Sequence, residues 1–324
     1  MAQTYANKKQ QFLSYDYTRF LRGVCMLSIV FGHTANEFTE ILTKYNIAGI
    51  LYLGRFATGI FFFLSGYGLT LSIMRNRIDR FYIGRHMRGL LLPFVIFWLF
   101  YFLTGLCAGS FPCGDAPYLD FLSLKMPGTD TWFFRTIIGI YVLYFCLAKI
   151  SKPFAYKCMA AIIVLYVLTL AYFHVPAWWW NTILCFPIGI IYASNQSLRR
   201  KIPIIGVISL FVLFVILQKT APFSFLGEIS APIACSLFFA YLSPVATVVR
   251  KVPVITFIGT NSLYVYFMEA IPIDYLNSNK ASFAMFVFGC IAITVILTYS
   301  GKYLEKWGIS KAKMLYNKTS SKEK

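Results

Sequence analysis

Ten stretches of the 324-residue chain are long and apolar: 20–38, 47–73, 90–108, 131–147, 158–173, 178–192, 202–217, 229–248, 254–271 and 282–299. Apolar residues run through them almost without interruption. They show neither the period-two alternation of a half-buried strand nor the single stripe of a surface helix, a pattern that predicts helices apolar all round. A helix needs about 20 such residues to cross a hydrocarbon core about 30 Å thick, so most of the runs are of crossing length. The expected fold is all-α: a polytopic integral membrane protein with about ten transmembrane helices.

Composition agrees. Hydrophobic residues make up 58% of the chain and charged residues 13%, where soluble domains show about 45–50% and about 25%. That excludes a soluble enzyme, a disordered chain and a nucleic-acid-binding domain. The net charge of +18 would point to nucleic acid on a soluble surface, but here it falls in alternate loops. Lys8, Lys9, Arg19 and Arg22 precede or open the first run, and Arg75, Arg77, Arg80, Arg85 and Arg88 follow the second. Lys149, Lys152 and Lys157, then Arg199, Arg200 and Lys201, then Arg250 and Lys251, continue the alternation up to the lysine-rich tail. Only Lys44, Arg55, Lys125, Arg135, Lys219 and Lys280 fall on the other side. The positive-inside rule then predicts that both termini are cytoplasmic.

The first run is too long for the core of a signal peptide and lacks a small-residue cleavage site, so it is expected to stay as an anchor. The expected organisation is a cytoplasmic segment 1–16, a membrane domain 17–303 and a basic cytoplasmic tail 304–324 that suits lipid headgroups. Most of the eight cysteines lie inside apolar runs as small hydrophobes. Cys107 and Cys113 flank an outward loop, and pairing between them is left open. No metal-site spacing is present, and no permanently bound cofactor is expected.

Candidate chemistry concentrates in the first run. Arg22 and His33 are eleven residues apart, about 20° past three helical turns, so they share one face, about 16.5 Å apart along the axis. Glu37, at i+4 from His33, continues that stripe. Ionisable residues inside a membrane usually face a bundle interior or a water-filled cavity and mark function. The plain alternatives are a topology anchor for Arg22, a core histidine for His33 and an interface residue for Glu37.

These residues resemble a family. The segment from Leu21 to His33, an arginine followed by ten residues and a histidine, is similar to the first-helix signature of the bacterial membrane acyltransferase family 3. Phe62-Phe63-Leu64-Ser65-Gly66-Tyr67 resembles its second-helix element, and Arg85-His86-Met87-Arg88 its Arg-x-x-Arg element. Thr131-Trp132-Phe133-Phe134 and the segment from Phe257 to Tyr264 also look familial, and the resemblance runs from about Tyr15 to Tyr303. Two positions depart from the pattern. Arg19 stands where members often carry an aspartate, and Met268-Glu269 where many carry a late histidine.

The resemblance implies transfer of an acyl group, usually acetyl, from cytoplasmic acyl-CoA to a hydroxyl of an envelope polysaccharide or lipid-linked sugar, in the bacterial inner membrane. His33 is then expected to act as general base with Glu37 orienting it. Arg22, Arg85 and Arg88 are expected to hold coenzyme phosphates, where guanidinium forks match phosphate oxygens. Ordinary positive-inside charge is the alternative for the Arg85–Arg88 pair. Ser65 is either a nucleophile or, with Gly66, a close-packing contact. Glu269 is either a buried acid on the acceptor side or a boundary residue. The expected partners are acyl-CoA, the glycan acceptor and lipid, with no nucleic acid and no oligomeric state indicated. The rival class is a transporter or flippase, or an export partner, for such a glycan.

Overall fold

The computed structural model describes residues 13–38, 53–75, 81–108, 117–126, 131–195, 204–220, 224–243, 252–278 and 282–320. Among them the chain is helical, with no extended strand. In order the helices are α1 (Tyr15–Asn36), α2 (Leu53–Met74), α3 (Tyr82–Ala108), α4 (Pro117–Leu122), α5 (Trp132–Ile150) and α6 (Lys152–Tyr172). A 3-10 turn (Ala177–Trp179) leads to α7 (Cys185–Ser194), α8 (Ile204–Thr220) and α9 (Phe225–Tyr241). Then come α10 (Pro253–Thr260), α11 (Ser262–Met268), α12 (Ala270–Ser278) and α13 (Phe283–Ser320).

Every apolar run holds a helix, but the helices are unequal. Among the described residues five are long and apolar enough to cross a membrane, or six if α10 and Ser262–Leu276, which covers α11 and most of α12, form one span. Run 178–192 spends its first residues on the 3-10 turn, leaving α7 ten residues, about 15 Å of helix. Run 254–271 breaks at Asn261, between Thr260 and Ser262. The outward faces explain the composition. Leu165 and Leu168 on α6 and Ile205, Ile208, Val212 and Val215 on α8 are all exposed, which water penalises and lipid accepts.

The helices form two compact units, one of residues 1–83 and 132–260, the other of 84–131 and 261–324. In the first unit α2 is central, packing against α1, α7 and α9, while α10 lies on α1. Two pairs of glycines set these crossings. A Cβ at Gly66 would collide with the Phe186 carbonyl and one at Gly189 with the Phe63 carbonyl; Gly23 and Gly259 stand likewise against the backbones of Ile255 and Arg19. Small residues let helix backbones approach where lipid supplies no hydrophobic drive for association. In the second unit α11 and α12 pack on α13. Phe267 of α11 meets Phe94 and Phe97 of α3 at 5.6 and 6.1 Å between ring centres.

Candidate active site

Helix α1 starts where Ser14, in extended conformation, accepts a hydrogen bond from the Tyr17 amide, the side-chain cap expected of serine at this position. It runs unbroken through His33, which lies in its last turn, and Glu37 follows at its C-cap with φ −68° and ψ −15°. That backbone remains right-handed helical, so Glu37 keeps its i+4 register to His33. Arg22 and His33 are half-buried and Glu37 is exposed. Met26 and Ile29, at helical spacing between the arginine and the histidine, are buried at 1% and 6% exposure. The Arg22–His33 stripe therefore faces into the unit.

The same stripe continues toward the helix start into a cavity of about 170 Å³. Tyr15, Thr18 and Arg22 of α1 line one side, and Leu64, Tyr67, Gly68, Leu71, Ser72 and Arg75 line the other. Leu13 closes over it, its amide donating to the Tyr67 hydroxyl at 3.4 Å. Arg75 is exposed just past the end of α2. Among the described residues the guanidinium groups of Arg22 and Arg75 make no hydrogen bond or ion pair. No carboxylate lines the cavity, so it is an electropositive pocket of phosphoryl size.

In the sequence Arg75 counts only as a topology signal. Its place in the pocket follows from the spacing of Leu64, Tyr67, Gly68, Leu71, Ser72 and Arg75, which keeps to one helix face. Arg19, the residue standing at the position of a frequent family aspartate, is engaged elsewhere. Its Nε donates to Thr260 Oγ1 at 2.8 Å, tying α1 to α10 beside the Gly23–Gly259 crossing.

Ser65 accepts a hydrogen bond from the Tyr141 hydroxyl at 3.4 Å. Beside it, Gly66 takes the backbone of α7. At Gly66 this is a close-packing contact between helices. Arg85 and Arg88 are exposed in the first turns of α3, in the second unit. Glu269 is also in that unit and is 1% exposed, between α11 and α12; of its two expected settings, the buried one is found. Cys113 lies outside the described residues, as do Arg77, Arg80 and the basic groups at 199–201 and 250–251.

A polar cluster not singled out in the sequence lies at the other end of α2. The Arg55 guanidinium bonds Glu228 of α9 at 2.6 Å, and Asn181 Nδ2 donates to the same carboxylate oxygen at 2.9 Å. Glu228 is 6% exposed and Asn181 fully buried. The signal was available, since a polar residue inside run 178–192 is costly in a membrane unless partnered.

A multi-helical unit with apolar outer faces, a cavity lined by two arginines and an arginine-to-histidine stripe defines a membrane protein with a cationic cavity. Residues 15–302 match the model of acyltransferase family 3, described as an acyltransferase domain, and the chain belongs to that family. It is a multi-pass membrane acyltransferase by that membership and by its apolar helices. No curated protein and no solved structure matches the chain.

Proposed function

We propose that the chain transfers an acyl group, acetyl in the first instance, from cytoplasmic acyl-CoA to a hydroxyl of an envelope glycan or lipid-linked sugar, in the bacterial inner membrane. The observation that carries this reading is the cavity shared by Arg22 and Arg75, two guanidinium groups without partners among the described residues. It sits on the stripe that leads, about 16.5 Å along α1, to His33. An anionic headgroup held at one end and a thioester extended toward the other match a coenzyme A thioester. Ten crossings with both termini cytoplasmic would put the cavity at the cytoplasmic face.

In this mechanism His33 takes the proton of the acceptor hydroxyl as its oxygen attacks the thioester carbonyl. The C–O bond forms, the C–S bond breaks, and the coenzyme leaves as a thiolate that recovers a proton. Glu37 orients the ring and stabilises the imidazolium. Arg85 and Arg88, exposed at the start of α3, are the second unit's candidates for phosphate binding. Ser65 needs no chemical role in direct transfer. Glu269 is assigned to the acceptor side.

The test is the acyl-ester content of envelope glycans, read by mass spectrometry, from cells expressing the wild type or His33→Ala at equal membrane levels. A positioned base contributes about 10²–10⁴-fold, so esters should fall to background while the purified variant still binds acetyl-CoA. Full acylation would remove His33 from the mechanism. A flippase would instead leave ester content unchanged and slow glycan export.

A further inference from the structure

We propose that the tryptophan-rich turn before α7, together with Asn181, Glu228 and Arg55, forms the seat for a neutral sugar ring of the acceptor. The assignment rests on the acyl-transfer reading for its purpose, though not for its geometry. All of its residues belong to the first unit.

The turn presents an aromatic surface. Trp178 and Trp179 stack at 5.0 Å between ring centres, and Trp132 at the start of α5 stands 6.4 and 6.3 Å from them. The Arg135 guanidinium lies 5.7 Å from the Trp179 ring, and Trp178 is 40% exposed. Trp180 is buried and fixes the turn: its ring stacks on Phe225 at 5.4 Å, and its Nε1 donates to the Val175 carbonyl at 2.9 Å. A belt of interfacial tryptophans needs each ring only at the lipid boundary. This cluster is packed ring on ring, with Trp178 its exposed member.

Directly after Trp180 come two buried polar groups that find no partner among the described residues. Asn181 spends its amide nitrogen on Glu228, and its Oδ1 has no partner; neither has the Thr182 hydroxyl. Buried polar atoms are nearly always paired, so two adjacent exceptions call for an explanation. A ligand hydroxyl reaching either atom would supply one, since it can donate to Oδ1 or accept from the Thr182 hydroxyl. Beside Asn181 the charges of Arg55 and Glu228 oppose each other at 2.6 Å, so the partner proposed at that position is an uncharged one. Sugar rings carry C–H groups on one face and hydroxyls at the rim, and they match an aromatic platform beside planar amide and carboxylate groups.

The cluster is also at the correct level. A Cβ at Gly32 of α1 would stand 3.6 Å from the Gly54 nitrogen of α2. The α1 backbone one residue before His33 thus lies against the α2 backbone one residue before Arg55. The sugar seat and the proposed base therefore share the end of the unit opposite the Arg22–Arg75 cavity.

The experiment uses the full-length protein, purified in a detergent without a sugar headgroup. The probe is the water-soluble oligosaccharide released from the envelope of the expressing cells and de-esterified with base. NMR saturation transfer from protein to sugar-ring protons needs no turnover. Wild type should give a signal that falls at least tenfold in Trp178→Ala/Trp179→Ala and in Asn181→Ala, while Trp179→Phe, which keeps a ring, retains most of it. Acetyl-CoA affinity should stay within twofold in all of them. No transfer from the wild type, or equal transfer from the double tryptophan variant, overturns the proposal. If Asn181→Ala fails to accumulate, the double tryptophan variant decides alone. Ester analysis of the same cells separates the two readings: saturation transfer without any gene-dependent esters retires acyl transfer and leaves the sugar seat standing.

Discussion

The two ends of α2 carry arginines in opposite states. Arg75, at one end, shares a cavity with Arg22 and has no anionic partner among the described residues; Arg55, at the other, is held by Glu228 at 2.6 Å. An unneutralised pair of guanidinium groups beside a cavity is arranged to receive an anion, whereas a neutralised one organises polar groups for an uncharged partner or for the fold itself. In the reaction proposed above, the two ends would take opposite tasks, with the donor's phosphates at one and the acceptor's hydroxyls at the other.

Removing the carboxylate is the strongest way to break this contrast. Glu228→Ala would remove the carboxylate 2.6 Å from Arg55 and leave the buried Asn181 amide facing an apolar side chain. Breaking a buried pair costs about 3–5 kcal/mol, and the lower figure applies because the Arg55 side chain is 26% exposed. Thermal unfolding in detergent should show a clear loss, and an unchanged midpoint would make the pair dispensable to the fold.

At the cavity end the prediction is reversed, because binding should suffer and stability should not. Arg22→Ala and Arg75→Ala should each weaken acetyl-CoA binding by about ten- to a hundredfold, the value of a charge-assisted hydrogen bond of about 1.5–3 kcal/mol. Calorimetry on purified protein measures this, with unfolding as the control. A drop for Arg85→Ala or Arg88→Ala, with none for Arg75→Ala, would move the phosphate site to α3.

Two glycines on α2 sharpen the same distinction between packing and lining. Gly66→Ala places a methyl on the Phe186 carbonyl and should cost about 1–3 kcal/mol of stability. Gly68 lines the cavity, and a Cβ added there would meet nothing within 4 Å; Gly68→Ala should be neutral or stabilise by up to about 1 kcal/mol. The smallest effect is expected for Ser65→Ala, which loses one long hydrogen bond to Tyr141, about 0.5–1 kcal/mol. Acylation assays should find its rate nearly intact, and abolished activity would restore Ser65 as a nucleophile.

Much of this is legible along the chain. The apolar runs locate the described helices apart from the short α4 and most of α12, because a side chain facing lipid must be apolar whatever its neighbours are. The Arg22–His33 stripe follows from helical periodicity alone, and buried Met26 and Ile29 between the two residues turn it inward. The pocket role of Arg75 is not legible, because a charge at a helix end looks the same whether it marks topology or lines a cavity. The break at Asn261 and the short α7 are hidden for a related reason, since apolar composition measures solvent and not helix length.

The sequence by itself thus determined the all-helical membrane class, the family and the one-dimensional spacing of the α1 stripe, all of which depend on local periodicity and partition between water and lipid. Only the tertiary structure decided which charges are neutralised. Arg55 and Glu228 are 173 residues apart, and Arg22 and Arg75 meet one cavity across two helices. Electrostatic energy depends on distance in space, and the crossings at Gly66, Gly189, Gly23 and Gly259 fix those distances by letting backbones touch.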